Sequence, residues 1–552
     1  MSMYPHHLRP IPEETARVAR AACPKGTLAM RLRDELGSLY RDEAFAHLFS
    51  SRGQPAEAPW RLALVSVLQY VEGMTDRQAA EAVRSRIDWK YALGLPLEDP
   101  GFDASVLAEF RERLVQGHAE QLLLETLLDL CKQRGWLKGG GKQRTDSTHV
   151  LASVRSLSQL ETVGETLRAA LEDLAEADPD WLVAHISAQW LERYGPRVDN
   201  YRLPKAEAER EALAEQVGAD GWQVLQALKE PGTPEILRSL PHVRLLEQVW
   251  QQYYDLSAGH PKWRAGPQAE AKGGVIRSPY DSEARTSKKR NRIWLGYKVH
   301  LTEICEADLP HLVVAVQTTP ATVTDVEMTE PIQQDLARRD LQPEVQLVDT
   351  GYVDAELLVR SRAKGIHLLG PALPDTSWQT KGEHSLSVGQ FHLDWSTHQA
   401  LCPQGQFSHR WTYLEERGIW EIVFAKETCA GCPLRQQCTK ARTTGRVLHV
   451  RPQAAHEALL ARRAEQETEA FRQEYHARAG IEGTLSQGVR RCGLRQARYR
   501  GLRKTQVQEV LAAVALNVLR LDAFWGGYTP LASRPSHFQR LADRFPPART
   551  AG

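Results

Sequence analysis

Between Trp294 and Asp349 the hydrophobic period changes repeatedly within a short span, and this restricts the fold more than any other feature of the chain. WLGYKVHLTEI (294–304) and HLVVAVQTT (311–319) predict two antiparallel strands joined by the acidic turn Cys305 to Pro310. Asp325 to Arg339 predicts a helix opened by Thr322 or Thr324, and Glu344 to Val348 a short apolar strand that ends at Asp349. Strand, strand, helix, strand, with a carboxylate closing the last strand, is an α/β pattern. QRTDSTHVLASV (143–154), directly after the break Gly139-Gly140-Gly141, adds another strand and carries Asp146. A helix over 354–364 and a strand over 367–369 continue the alternation.

The rest of the chain arranges itself around this core. Residues 1–31 read as an arm without clear period, and 32–138 as an all-helical domain. Within it, a helix ending near Tyr70, the break Glu72-Gly73-Met74 and a Thr75-x-x-Gln78 capping box suit a helix-turn-helix as well as a plain bundle. Residues 139–156 hold the first strand region, 157–270 a helical insertion, 271–371 the α/β core, and 372–452 an irregular, cysteine-bearing insertion. Helical period returns at Ala454, runs to about Leu485, resumes from Lys504 to Phe524, and closes a unit of 453–525 before the tail 526–552.

A length of 552 residues asks for several domains or large insertions, and 42% hydrophobic with 25% charged residues excludes disordered and fibrous classes. The net charge of +1 hides basic segments at Lys288 to Arg292 and Arg490 to Lys504. No long uncharged apolar run suits a membrane span and the first residues lack the apolar stretch of a secretory signal, so a cytoplasmic protein is expected. Cys23, Cys131, Cys305 and Cys492 are scattered singly and read as small packed residues.

Three acidic positions stand where chemistry is feasible: Asp146 in TDST, Asp349 in LVDTGY and Glu482 in RAGIEGTL. Each alone is ordinary. Together, three converging carboxylates supply the oxygen ligands that Mg²⁺ or Mn²⁺ prefers, and two such ions about 3.5–4 Å apart serve phosphoryl transfer. Tyr475, Arg478 and Glu482, spaced i, i+3, i+7, share one helical face, from which Arg478 can orient the carboxylate or meet a phosphate. Downstream, Arg490, Arg491, Arg495, Arg498, Arg500, Arg503 and Lys504 interleave with Tyr499, a density that favours a nucleic-acid backbone. Lys288, Lys289, Arg290 and Arg292 form a basic loop ahead of a strand, and His149 reads as a strand-edge residue packed locally.

The Y-x2-R-x3-E spacing at Tyr475, Arg478 and Glu482, the following GLRQARYRG, TDST, VDTGY and SPYDSEAR with WLGYKVHL together resemble bacterial insertion-sequence transposases. The best fit is the insertion-sequence 1182 group of the Asp-Asp-Glu (DDE) type. The resemblance implies a ribonuclease H-like mixed sheet with flanking helices, with Asp146, Asp349 and Glu482 as catalytic and Mg²⁺-binding residues, two ions per site. It further implies double-stranded DNA as partner, at transposon ends and target, a homodimer, and work beside the bacterial nucleoid. DNA contact falls to Tyr475, Arg478, Arg490, Arg491, Arg495, Arg498, Arg500, Lys288, Lys289, Arg290 and Arg292. A nuclease without strand transfer and an inactive DNA-binding regulator are the alternatives. The chain departs from the signature at Val489, where a lysine is expected; Arg490 or Arg491 would take its phosphate, with different geometry.

Cys429-x2-Cys432-x5-Cys438 has metal-ligand spacing, and Cys402 offers a fourth thiol. One structural Zn²⁺, free thiols and a catalytic metal are all open on spacing alone, with His392, His398, His409 and His449 as substitute ligands. Related CxxCPLRxxC stretches in the resembling group favour the structural ion.

Overall fold

The computed structural model describes residues 2–3, 10–264, 266, 274–289, 291–380, 386–527, 538 and 540–541; Arg290 and most of the tail lie outside the described residues. Its centre is a six-stranded sheet of β1 (Lys142–Leu151), β2 (Arg285–Lys289), β3 (Arg292–Ile304), β4 (Val313–Pro320), β5 (Val345–Leu347) and β6 (His367–Leu369). The long β3 pairs antiparallel with β1 on one edge and with β2 and β4 on the other. β1 then runs parallel to β5, and β5 parallel to β6. Parallel neighbours need crossovers, and the helices Asp325–Arg338 and Ala355–Ala363 stand in those connections. This is the ribonuclease H-like mixed sheet expected from the sequence.

The N-terminal helices form as read: Pro59–Glu72 ends at Gly73 in the left-handed region, and Asp76–Ser85 opens on the Thr75–Gln78 capping box. Their core does not stop at residue 138. Leu64 and Leu68 belong to the same apolar cluster as Val314 and Val316 of the sheet and Leu511 and Leu516 of the Leu502–Trp525 helix. That last helix is apolar on nearly every side, so it is buried between the two groups of elements. The helical insertion has its own core around Leu167, Trp250 and Tyr254.

Two expectations need correction. The stretch 371–452 is not irregular: it contains a two-stranded ladder (His392–Asp394 with Gln399–Leu401) and a three-stranded one (Arg410–Leu414, Ile419–Val423, Val447–Val450) over a small core of Phe391, Ile422, Phe424 and Leu448. Strands this short leave too few alternations to read. The helix expected from Ala454 to Leu485 is divided into Gln453–Glu465, Glu469–Tyr475, a 3-10 turn His476–Ala479, and Gly480–Cys492. Among the described residues no helix is long and apolar enough to cross a membrane.

Candidate active site

Asp146 lies in the middle of β1, where its Oδ1 accepts the Ser147 backbone N–H at 2.7 Å. Asp349 leaves β5 and caps the 3-10 turn Thr350–Tyr352, its Oδ1 accepting the Gly351 N–H at 2.9 Å. Glu482 falls in the first turn of Gly480–Cys492, the helix end that favours negative charge. All three point toward one guanidinium. Arg478 Nη2 is 2.7 Å from Asp146 Oδ2 and 4.0 Å from Asp349 Oδ2, while Nη1 is 3.2 Å from Glu482 Oε1.

The cluster grades from floor to rim: the Asp146 side chain is 13% exposed and that of Glu482 68%. Burial pushes the Asp146 carboxyl up to about 6; Arg478 opposes the shift and Asp349 adds to it. Tyr475 stacks on Phe471 with ring centroids 5.4 Å apart, and burial foremost raises its phenol, with Arg478 and the three carboxylates among the charges it feels. Tyr475, Arg478 and Glu482 are thus gathered at one place although the helix between them is broken.

Among the described residues, no three Asp, Glu, His or Cys side chains are gathered closely enough to hold a metal ion as they stand. The physical reason in the acidic cluster is Arg478, whose side chain lies between the carboxylates. Its Nε is buried without a hydrogen-bond partner among the described residues. A cation thus sits amid an all-oxygen donor set, and that donor set fits a hard divalent ion.

A fourth carboxylate was missed from sequence. Asp325 Oδ1 accepts from Ser147 Oγ at 3.0 Å and from Lys298 Nζ at 3.3 Å. It adjoins Asp349 across Gly351, where an added Cβ would stand 3.0 Å from Asp349 Oδ1 and 3.2 Å from Asp325 Oδ2. The only sequence signal is an aspartate after the helix-capping Thr324, the commonest of structural positions. His300, buried on β3, bonds the Tyr352 hydroxyl through Nδ1 at 2.7 Å, and burial lowers its pKa to about 4.

The basic residues divide by what holds them. Lys289 acts on Asp146, and its hairpin (β2–β3) also presents Lys288, Arg292 and an exposed Ile293. Arg490 and Arg491 are exposed on the Glu482 helix, whereas Val489, at the expected lysine position, packs on the core. Arg495 donates to Thr148 Oγ1 at 2.8 Å, Arg498 donates to the Met74 carbonyl at 3.0 Å and covers the Tyr70 ring, and Arg500 lies over Tyr280. His149 rests against Trp294.

Cys402, Cys429, Cys432 and Cys438 line one cavity of about 340 Å³, and none of His392, His398, His409 or His449 does. The Gln406 N–H points at Cys402 Sγ, 3.4 Å away, and burial raises the Cys438 thiol.

A mixed sheet of this order, with one carboxylate at the centre of β1 and another just past the end of β5, is a ribonuclease H-like architecture. Residues 401–522 match the family described as "Transposase DDE domain", and residues 19–113 that described as "Transposase domain (DUF772)". No curated protein matches the chain significantly. Both matches are of the type found in insertion-sequence 4 and 1182 transposases, the group that the motifs resemble. The first match contains Glu482 and the four clustered cysteines; Asp146 and Asp349 lie outside it.

Proposed function

We propose that this transposase cleaves DNA at the terminal inverted repeats of its element and joins the exposed 3′-hydroxyl to target DNA, with Asp146, Asp349 and Glu482 as its catalytic carboxylates. What supports the reading is the meeting of three carboxylates from separate elements on the Arg478 guanidinium. Asp146 and Asp349 would share two Mg²⁺ or Mn²⁺ ions and Glu482 complete one site. When bound, the ions supply activation of the attacking oxygen and stabilisation of the leaving oxygen in phosphoryl transfer.

The chain's own part is to place and neutralise. Two strands and one helix hold the carboxylates at fixed positions, so the donors need little ordering when the site fills. Arg478, released from them, is within reach of a phosphate at the same place, and Tyr475 beside it walls the site from water. The exposed Arg490, Arg491, Lys288, Lys289 and Arg292 receive the backbone, with Arg495, Arg498 and Arg500 lining its approach. Residues 32–138 engage end DNA or a partner subunit, and paired ends call for a homodimer acting in the bacterial cytoplasm. The four thiols line one cavity and, drawn together, would make an all-sulfur donor set of the kind a structural Zn²⁺ takes.

The test is a labelled duplex carrying a terminal repeat, a target plasmid and Mg²⁺. Wild type cleaves the duplex and transfers the label to the plasmid, whereas Asp146→Asn, Asp349→Asn and Glu482→Gln bind the duplex and do neither. Cleavage without transfer would leave a nuclease, and undiminished cleavage by the three variants would remove the assignment.

A further inference from the structure

Behind the acidic cluster lies a second set of charges, buried and outside the reaction. Glu303 on β3 is fully buried. Its Oε1 accepts from Arg144 Nε at 2.6 Å, and its Oε2 from Thr484 Oγ1 at 2.6 Å and Arg520 Nη1 at 2.5 Å. Arg520, on the Leu502–Trp525 helix, also donates to Thr484 Oγ1 at 2.5 Å and to the His311 carbonyl. Arg144 reaches onward to the Ala477 carbonyl at 2.7 Å and meets His311 Nδ1 at 3.3 Å. Burial alone would raise the Glu303 carboxyl, but Arg520 and Arg144 outweigh it and hold it low.

The partners are placed tellingly. Arg144 sits opposite Glu303 in the β1–β3 register and two residues from Asp146, on the same face of the strand. Thr484 is two residues from Glu482 and turned to the core, while Glu482 faces out. The Ala477 carbonyl belongs to the turn that carries Arg478. A buried carboxylate between two guanidiniums is a weak way to gain stability, since apolar side chains would fill the space as well. It is a strong way to fix direction, because the bonds to Glu303 are short and oriented.

We infer that Glu303 is a positioning residue: through Arg144 it fixes the strand bearing Asp146, through Thr484 the helix bearing Glu482, and so sets the separation of the two carboxylates from behind. The inference rests on those carboxylates being the catalytic pair. It assigns Arg520 the task of holding Glu303 and Thr484 together from the buried C-terminal helix.

The full-length chain is compared as wild type, Glu303→Gln, Thr484→Val, Thr484→Ser and Asp146→Asn, by thermal unfolding, Mn²⁺ calorimetry without DNA, and cleavage kinetics. Thr484→Val keeps the shape of the side chain and removes its hydroxyl, so it folds and its KM for the duplex stays near wild type. Its kcat falls by about 10- to 100-fold, the loss expected from sub-ångström to ångström misplacement, and its Mn²⁺ affinity weakens by about 3-fold or more. Thr484→Ser regains both, which a packing role alone would not produce, and Glu303→Gln moves the same way further. If Glu303→Gln fails to fold, the Val and Ser pair decides. Wild-type kcat and Mn²⁺ affinity in folded Thr484→Val, with cleavage abolished in Asp146→Asn, would overturn the inference and leave the site assignment standing. Full cleavage by Asp146→Asn would overturn both.

Discussion

Gly480 opens the helix that carries Glu482, and a methyl group there has nowhere to go. A Cβ at Gly480 would lie 1.9 Å from Arg144 Nη1, 2.3 Å from its Cζ and 2.5 Å from Nη2. Arg144 is not free to swing aside, being held by Glu303 at 2.6 Å and the Ala477 carbonyl at 2.7 Å. Expelling it would break a buried ion pair, at about 3–5 kcal/mol. Shifting the start of the helix instead costs about 1–3 kcal/mol, the usual range for overpacking. The cheaper route wins, so Gly480→Ala should destabilise by about 1–3 kcal/mol. Gly483, three residues along the same helix, has nothing within 4 Å of its hypothetical Cβ. Gly483→Ala should therefore stabilise by about 0.5–1 kcal/mol through helix propensity alone. Hydrogen exchange of peptides covering residues 142–151 and 476–492 reads the local free energy whether or not so long a chain unfolds in one step. We expect the two alanine variants to differ by about 1.5–4 kcal/mol with opposite signs from wild type. The shift also moves Glu482, so duplex cleavage should drop about 100-fold in Gly480→Ala only. Equal exchange in the two variants, to within about 0.5 kcal/mol, would refute the argument that Arg144 is pinned.

Two further outcomes follow from the same geometry. His300 has a folded pKa of about 4, below that of an unfolded histidine, so its share of stability is complete above about pH 6.5. It is lost as the pH falls from there toward the folded value, by about 2–3 kcal/mol, and a His300→Asn variant should show a shallower acid slope in urea titrations between pH 7 and about pH 4; an unchanged slope would reject the assignment. The four-cysteine cavity should hold about one Zn²⁺ per chain by elemental analysis. A strong chelator, or Cys432→Ser, should remove the metal and loosen exchange across Arg410–Leu414 and Ile419–Val423 while leaving β1 unchanged; purified protein without zinc and with full protection there would exclude the site.

What could be read from sequence and what could not divides by the range of the interactions. β3, β4 and β6 were legible to within two residues because short apolar runs bounded by turn residues are a local record of a buried strand. Asp349 was legible because it ends such a strand, and Asp146 because a glycine break precedes its own. The spacing of Tyr475, Arg478 and Glu482 picked out three residues that do lie together, but the 3-10 turn inside it was invisible. His-Ala-Arg-Ala contains no helix breaker. Instead, the Ala477 carbonyl is taken by Arg144 from another element, so a tertiary bond competes with the helix's own. Glu303 shows the limit most plainly. In the strand it reads as one more polar residue among β-branched neighbours, and its burial depends on Arg144 and Arg520, which no local pattern connects to it.

Charge density misleads for a related reason. The arginines from Arg490 to Arg503 were counted as one DNA-facing group, yet Arg498 grips the turn between two N-terminal helices and Arg503 pairs with Glu120, so part of that charge joins the N-terminal helices to the catalytic sheet. A guanidinium engaged on protein groups in this way is less available to a polyanion than its number in the sequence suggests. Arg490 and Arg491 keep their charge in solvent on the outer face of the Glu482 helix. Salt dependence of duplex binding should accordingly fall more on losing either of these two than on losing Arg498, whose removal should instead loosen the Met74 turn against the Leu502–Trp525 region.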